Sequence, residues 1–467
     1  MMNSRLFGAV VFAAGGIVVG MALPFSGLAL KGHLVLAIVI TALGLWIFRP
    51  GDLPYAAGGA LIIAGCLALG LPYGDAAAGF VSPAVWVLIP ALYFGFALQN
   101  SGLGKRIAYF VLKSFKPSFF TIIISWFIIG VVLSAFTPSI TVRVAIVMPV
   151  ALYVVEACKL NGGSRGASMI TLTAWAMAVF PGTGWLTGSL YGPIMTGFLP
   201  AELKPLANFD TWFKIMALPW FLITVVFVIL LFFALRPKEP LGITRETFLE
   251  QYRALGKISR PETITAITLL AALLAFTTER YHQVPTAAVA LAAFFVLIVF
   301  RVIILPDISR GINWDIIMFF GATISLSTIF AQSGISNWLG RVLEPGVLAL
   351  AGSTEAFLII LTLALWLIRF VDVPWGFSTA ALTATLLIPL YGQFGIHPLV
   401  GIMIFTAAGN CFFLTYQQPF LIIGESIARG RGWRSGHVTL AGLLYAVAVM
   451  VSLMASLLYW ESIGAIR

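Results

Sequence analysis

Apolar windows long enough to cross a bilayer recur along the whole chain, at residues 6–30, 34–48, 212–235, 285–305 and 438–460 among others. Hydrophobic residues make up 60% of the sequence and charged ones 9%, far outside the range of soluble domains. The sequence therefore predicts an all-α polytopic membrane protein, not a soluble protein with one anchor. At about 20 residues per span plus connections, there is room for roughly a dozen spans. The longest polar stretch, residues 236–262, is too short for a soluble domain.

A formal charge of +10 on a soluble chain would raise nucleic acid as a partner, but the positions of the cations point to the lipid bilayer instead. About nineteen Lys and Arg fall on one set of alternate connections and about six on the other. The rich set holds Arg49, Lys105, Arg106, Lys113, Lys116, Lys159, Arg165, the 236–260 loop, Arg301, Arg310 and the 429–434 cluster. The poor set holds Lys31, Lys204, Lys214, Arg280, Arg341 and Arg467. This asymmetry predicts a plasma (inner) membrane protein with a cytoplasmic N-terminus and an outer C-terminus. Residues 6–30 exceed the apolar core of a signal peptide and read as a retained span. Cys66, Cys158 and Cys411 have no paired spacing and read as small packing residues.

The most informative irregularity is Thr137-Pro138-Ser139-Ile140-Thr141-Val142-Arg143, a short polar gap between apolar residues 119–136 and 144–155. An ionisable group at membrane depth is expensive, so its default reading is functional. A related stretch, 357–390, surrounds Arg369, Asp372, Ser378 and Thr379. Downstream of each, an apolar helix is interrupted: once by Pro181-Gly182-Thr183-Gly184 through Ser189, once by Gly409-Asn410-Cys411 through Pro419. Such backbone is tolerated at depth only where it is buried in protein or lines a cavity.

These features repeat in order. Gln99-Asn100-Ser101-Gly102 is echoed by Gln332-Ser333-Gly334-Ile335, and Met148-Pro149-Val150 by Ile388-Pro389-Leu390, at an offset of roughly 230 to 240 residues. The cation map puts the short helix after the first echo inside and its counterpart outside, so the expected repeat is inverted. Paired discontinuous helices in inverted repeats are the architecture of secondary transporters. Each hairpin reads either as re-entrant or as two full spans with a tight turn, and both return the chain to the same side. The few tip residues and the depth of Arg143 favour re-entrance. The expected fold is about 11 spans plus two re-entrant hairpins and two broken helices.

At these residues the chain resembles the divalent anion:sodium symporter family of the wider ion-transporter superfamily, over most of its length. The resemblance rests on Ser101-Gly102-Leu103-Gly104-Lys105-Arg106 and its echo, the two hairpins and the two broken helices. The family hallmark is Ser-Asn-Thr at each tip, about ten residues before a proline; here the first tip reads Ser139-Ile140-Thr141 ahead of Pro149. The second offers only Ser378-Thr379-Ala380 or, one place on, Thr379-Ala380-Ala381, so the usual tip asparagine is absent from both. The resemblance implies a homodimeric elevator whose scaffold comprises residues 1–118 and 236–350. The transport domain would comprise residues 119–235 and 351–467. It also implies a dicarboxylate, tricarboxylate or sulfate substrate, with sodium held near the tips and breaks.

The residue chemistry agrees with a small anionic substrate. Arg143 can bind a carboxylate or sulfate bidentately or cap carbonyls at the break. Arg369 has Asp372 three residues on and reads as an ion pair. Ser139, Thr141, Ser378 and Thr379 offer hydroxyls above helix N-termini that favour an anion. Hydroxyls in such helices also back-bond to carbonyls. Thr183, Thr187, Ser189, Asn410, Thr415 and Gln417 are candidates by position in the breaks. Sodium, if held, is expected near Ser139, Gly182, Ser378 and Gly409. Trp175, Trp185 and Trp375 read as packing or anchoring residues. His33, His282, His397 and His437 lie near span ends, outside metal-ligand spacing of one another, and no GxxxxGK[ST] phosphate loop occurs. No enzyme-like His, Asp, Glu or Cys constellation is placed at depth, and no cofactor is expected. The sequence thus favours a secondary transporter of di- or tricarboxylates or similar oxyanions working by exchange. A sodium- or proton-coupled symporter is the near alternative. A cation/proton antiporter would want more buried carboxylates than Asp372 alone supplies.

Overall fold

The computed structural model describes residues 2–21, 26–199, 202–237, 241–338, 341–342, 354–369, 391 and 395–466. The second tip, with Asp372, Trp375, Ser378 and Thr379, lies outside the described residues. Among those described there are helices and connections and no strand. The first half contains α1 (Met2–Met21), α2 (Leu30–Phe48), α3 (Tyr55–Ala68), α4 (Pro83–Asn100), α5 (Leu103–Ser114), α6 (Phe119–Phe136), α7 (Ile140–Ala157), α8 (Arg165–Val179), α9 (Tyr191–Phe198) and α10 (Leu218–Leu235). Then follow α11 (Arg245–Ala254), α12 (Arg260–Thr277), α13 (Thr286–Val299), α14 (Trp314–Gln332), α15 (Thr354–Ile368), α16 (Pro398–Gly409), α17 (Pro419–Ala428) and α18 (Ser435–Ser462). Among the described residues, eight helices are long and apolar enough to cross a membrane. The chain is an integral membrane protein.

Helix starts follow their local chemistry. Ser82, Ser118, Ser139, Ser164 and Ser259 each precede a helix and accept a hydrogen bond from a backbone N–H of its first turn, relieving donors that hydrocarbon cannot satisfy. The first span differs from expectation. Its helix ends at Met21 and the next begins at Leu30, so the apolar window 6–30 is not one continuous helix. Small residues set the approach of α1 to α2: a Cβ on Gly16 would lie 2.6 Å from the Ala37 carbonyl oxygen.

The echo of Gly102 and Gly334 is visible in the backbone. Both residues turn left-handed, at φ +85° and +77°, directly after a long helix, a conformation glycine adopts without steric cost. In the first half the turn launches α5, the expected amphipathic helix. Arg106 on α5 is buried, and its guanidinium meets Glu262 Oε1 at 2.7 Å and Oε2 at 3.1 Å, with further donation to the carbonyls of Gly256, Leu255 and Lys257. Glu262 also closes the cap of α12 by accepting from the Ser259 N–H at 2.7 Å. The connection between α5 and α12 is therefore a fixed joint.

Glu262→Gln strands a buried guanidinium, and removing one partner of a buried pair costs about 3–5 kcal/mol. A fall in melting temperature of the detergent-solubilised protein is the expected outcome, with partial recovery when Arg106→Met is added.

Candidate functional site

The first hairpin is built from α6 and α7, each 18 residues long. α6 ends at Phe136, and Thr137 and Pro138 are too extended and too constrained to continue it. Ser139 then caps α7, accepting from the Val142 N–H at 3.4 Å, while its own N–H donates to Thr137 Oγ1 at 3.0 Å. The tip packs against the middle of α4. Thr137 Oγ1 lies 3.5 Å from the Ala91 carbonyl, and a Cβ on Gly95 would sit 2.6 Å from Thr137 Oγ1 and 2.9 Å from Ser139 Cβ. Only a glycine at position 95 leaves that clearance.

Arg143 occupies the first turn of α7 and is completely buried. Its Nη1 donates to the Gly188 carbonyl at 2.7 Å, whereas Nε and Nη2 have no hydrogen-bond partner among the described residues. Gly188 belongs to the first break, where α8 gives way to a short 3₁₀ turn, Pro181–Gly184, before α9. The guanidinium fits because the loop is bare there. A Cβ on Gly182 would lie 2.1 Å from the Gly188 oxygen and 2.6 Å from both Nη atoms of Arg143. Thr183 Oγ1 and Thr187 Oγ1, on the same loop, are likewise buried without partners. Arg143, Thr183 and Thr187 thus present buried hydrogen-bonding capacity around one break, which costs free energy unless something bonds to it. Thr141 is exposed, Ser139 is buried at its cap, and Ser189 Oγ accepts from the Tyr191 N–H at 3.2 Å.

The second break is wired differently. Arg369 follows α15 and is 2% exposed; its Nε donates to the Cys411 carbonyl at 3.3 Å and its Nη2 to the Gln417 carbonyl. The Gln417 side chain is consumed by structure, accepting from the N–H groups of Phe413 and Leu414 at 2.6 and 2.9 Å and donating to the Arg369 carbonyl at 3.1 Å. Among the described residues Arg369 therefore grips the break directly, while its expected pairing with Asp372 falls outside them. Asn410 Nδ2 donates to the Thr406 carbonyl at 3.2 Å and Oδ1 accepts from Gln418 Nε2 at 3.5 Å. Thr415 is half-buried. Gln418 was not singled out in the sequence, yet it is fully buried and its Oε1 has no partner. Its position directly before Pro419, at the start of α17, is the signal that marks it.

The two breaks touch through aromatic residues. Phe180 stacks on Tyr445 with centroids 4.4 Å apart, Trp175 meets Phe412 at 5.3 Å, and the Tyr445 hydroxyl donates to the Ala407 carbonyl at 3.1 Å. Trp175 is a packing residue, as expected, and so is Trp185, which lies against Phe213 and Phe221. Cys66, Cys158 and Cys411 are buried free thiols.

Residues 4–466 match the family described as the sodium:sulfate symporter transmembrane region. The chain belongs to this family. Membership makes it a membrane transporter and not an enzyme, in agreement with the resemblance carried by the tips and breaks. Relatives of this sodium:sulfate symporter family member include the putative malate transporter YflS of Bacillus subtilis, 23% identical over 98% of this chain and 97% of that one. The sodium-dependent dicarboxylate transporter SdcS of Staphylococcus saprophyticus is 22% identical over 86% and 80%. The L-tartrate/succinate antiporter of Shigella dysenteriae is 24% identical over 81% and 79%. The fold is similar to that of the Alcanivorax borkumensis YdaH transporter, with a TM-score of 0.54 at 15% identity over 99% of this chain and 98% of that chain.

Gly182→Ala would drive a methyl group into the Gly188 carbonyl and the Arg143 guanidinium. The expected result is loss of carboxylate-dependent thermal stabilisation with the helical circular dichroism unchanged.

Proposed function

We propose that this family member is a secondary transporter that exchanges small di- or tricarboxylates across the plasma (inner) membrane. The observation that carries this reading is Arg143, a fully buried guanidinium with one edge tied to Gly188 and with Nε and Nη2 unpartnered among the described residues. A carboxylate is the ligand that completes such an edge bidentately. The first turn of α7 adds a second reason, because a helix N-terminus carries partial positive charge that disfavours a cation and favours an anion. Arg143 sits at the wrong end of its helix for its own stability and at the right end for binding an anion. Arg369 is the reverse case. It follows the C-terminus of α15, where a cation is favoured, and its role is to hold the second break. Thr183 and Thr187 are the hydroxyls assigned to the substrate, both buried on the same break as the Arg143 partner Gly188.

Exchange follows from the same charges. In a sodium-coupled relative of this design, cations would sit against the carbonyls of tips and breaks. Here the Gly188 carbonyl is taken by Arg143, and the Cys411 and Gln417 carbonyls by Arg369. A sodium ion beside Gly182 would lie against the Arg143 guanidinium, so the residues present do not fit one there. Arg143 and Arg369 are both buried fixed cations of the proposed moving part, so an empty carrier takes charge across the field, at about 2.3 kcal/mol per elementary charge per 100 mV, whereas a bound dicarboxylate offsets the two. The proposed movement is an elevator in which 119–235 and 351–467 slide against 1–118 and 236–350 within each subunit of a homodimer. The N-terminus is cytoplasmic and the C-terminus outside. The tip lying against the middle of α4, at Ala91 and Gly95, supports a re-entrant hairpin.

In proteoliposomes, uptake of labelled dicarboxylate should require internal dicarboxylate and be indifferent to sodium. Equal uptake into empty vesicles, or a steep dependence on sodium, would reject exchange in favour of coupled symport. Losing one side of a buried charge pair costs about 2–5 kcal/mol, so Arg143→Gln should weaken carboxylate binding by more than about tenfold. An unchanged affinity would reassign Arg143 to structure.

A further inference from the structure

A second binding feature lies on the cation-rich side of the first hairpin, away from the breaks. A groove of about 510 Å³ runs between α5, α6 and α12 and is roofed by α11. Ile107 of α5, Val132 and Phe136 of α6 and Leu270 of α12 line it, and Leu270 is 49% exposed. Arg106 also borders it, but its guanidinium is saturated by Glu262 and three carbonyls, so it offers its hydrocarbon stem and no free charge. The groove follows α6 as far as Phe136, the residue before the tip threonine. At the opposite end stand Phe110 and Tyr252, and Lys113 Nζ sits 4.9 Å from the first ring and 4.2 Å from the second. Arg245 joins it there, its Nε donating to the Lys113 carbonyl at 2.8 Å. Neither cation forms an ion pair among the described residues.

We propose that this groove holds one acyl chain of an anionic phospholipid whose phosphate is held by Lys113 and Arg245. An apolar slot in a membrane protein, open beside an exposed leucine, excludes a dicarboxylate and accepts a hydrocarbon tail. The cation pair at one end and the wholly apolar other end match a molecule with a charged head and one long tail. The cations lie on the side assigned to the cytoplasm, where anionic lipids attract basic segments. Because α6 carries the first tip and α12 does not, a bound chain lies along the seam between the hairpin and the helices beside it. This goes beyond the proposed exchange activity and does not depend on it.

The test is native mass spectrometry of the purified full chain in detergent, titrated with phosphatidylglycerol and phosphatidylcholine of identical acyl chains. Several-fold preferential retention of phosphatidylglycerol is expected. Val132→Trp, which fills the groove, should abolish retention of both lipids. The double variant Lys113→Gln/Arg245→Gln should retain the two lipids equally. Inorganic phosphate should not displace the lipid, since it lacks the tail. Equal retention of both lipids by the unaltered protein would overturn the proposal. So would undiminished retention by Val132→Trp in a preparation whose melting temperature shows it folded, or displacement by phosphate.

Discussion

The arrangement of the first half depends on keeping the charge of Arg143 inside the protein at membrane depth. An unpaired ion in such a place costs several kcal/mol even after relaxation, and one hydrogen bond to Gly188 answers only part of it. The surrounding chain is shaped to that residue. Gly182 lacks a side chain so that the guanidinium can reach the loop, a Cβ on Gly188 would strike the carbonyls of Gly182 and Ser134, and the loop exists because Pro181 and the glycines cannot extend α8. On the far side, Gly95 of α4 admits the tip from which α7 begins. On the proposed reading, a carboxylate bonded to the guanidinium offsets this cost.

The second half meets the same problem with a different solution, and the contrast is informative. Arg369 donates to carbonyls on both sides of its break and is bonded in return by Gln417. The two halves are then tied together by α18, which passes between them. Tyr445 stacks on Phe180 beside the first break and bonds Ala407 ahead of the second. Three residues earlier, a Cβ on Gly442 would come within 1.8 Å of the Phe412 carbonyl. The breaks therefore cannot shift independently, since any displacement of one loop is transmitted through a ring stack or a backbone contact with no slack.

Much of this was legible from residue types alone. A cation within an apolar window, proline and glycine at membrane depth, and a repeat of both are statements about hydration and backbone hydrogen bonding, which do not need tertiary contacts. The serine caps at Ser118, Ser139 and Ser164 became visible only with the structure. What escaped were choices made by the fold. Gln417 and Gln418 are neighbours with identical side chains, yet one is bonded throughout to backbone and the other keeps a free oxygen. Thr141 shares the tip motif with Ser139 but turns outward. The grip of Arg369 spans 42 and 48 residues of sequence, and no local pattern announces which carbonyls it will find.

On the proposed reading, the absence of the tip asparagine and the presence of Arg143 at the first tip belong together. A mobile cation bound with the substrate leaves when the site empties, so the empty carrier can return near neutrality. A guanidinium fixed to α7 cannot leave. Its Coulomb attraction for a carboxylate is strongest where water is excluded, which raises affinity, and its own charge is then the barrier to returning without a load. Binding and obligatory exchange become two consequences of the same side chain. Arg369, saturated and placed at a helix C-terminus, adds rigidity to the second break without adding a second open anion edge among the described residues. On this reading a dicarboxylate bonded at Arg143 offsets the charges of both buried arginines, and the loaded carrier is the one that moves readily across the field.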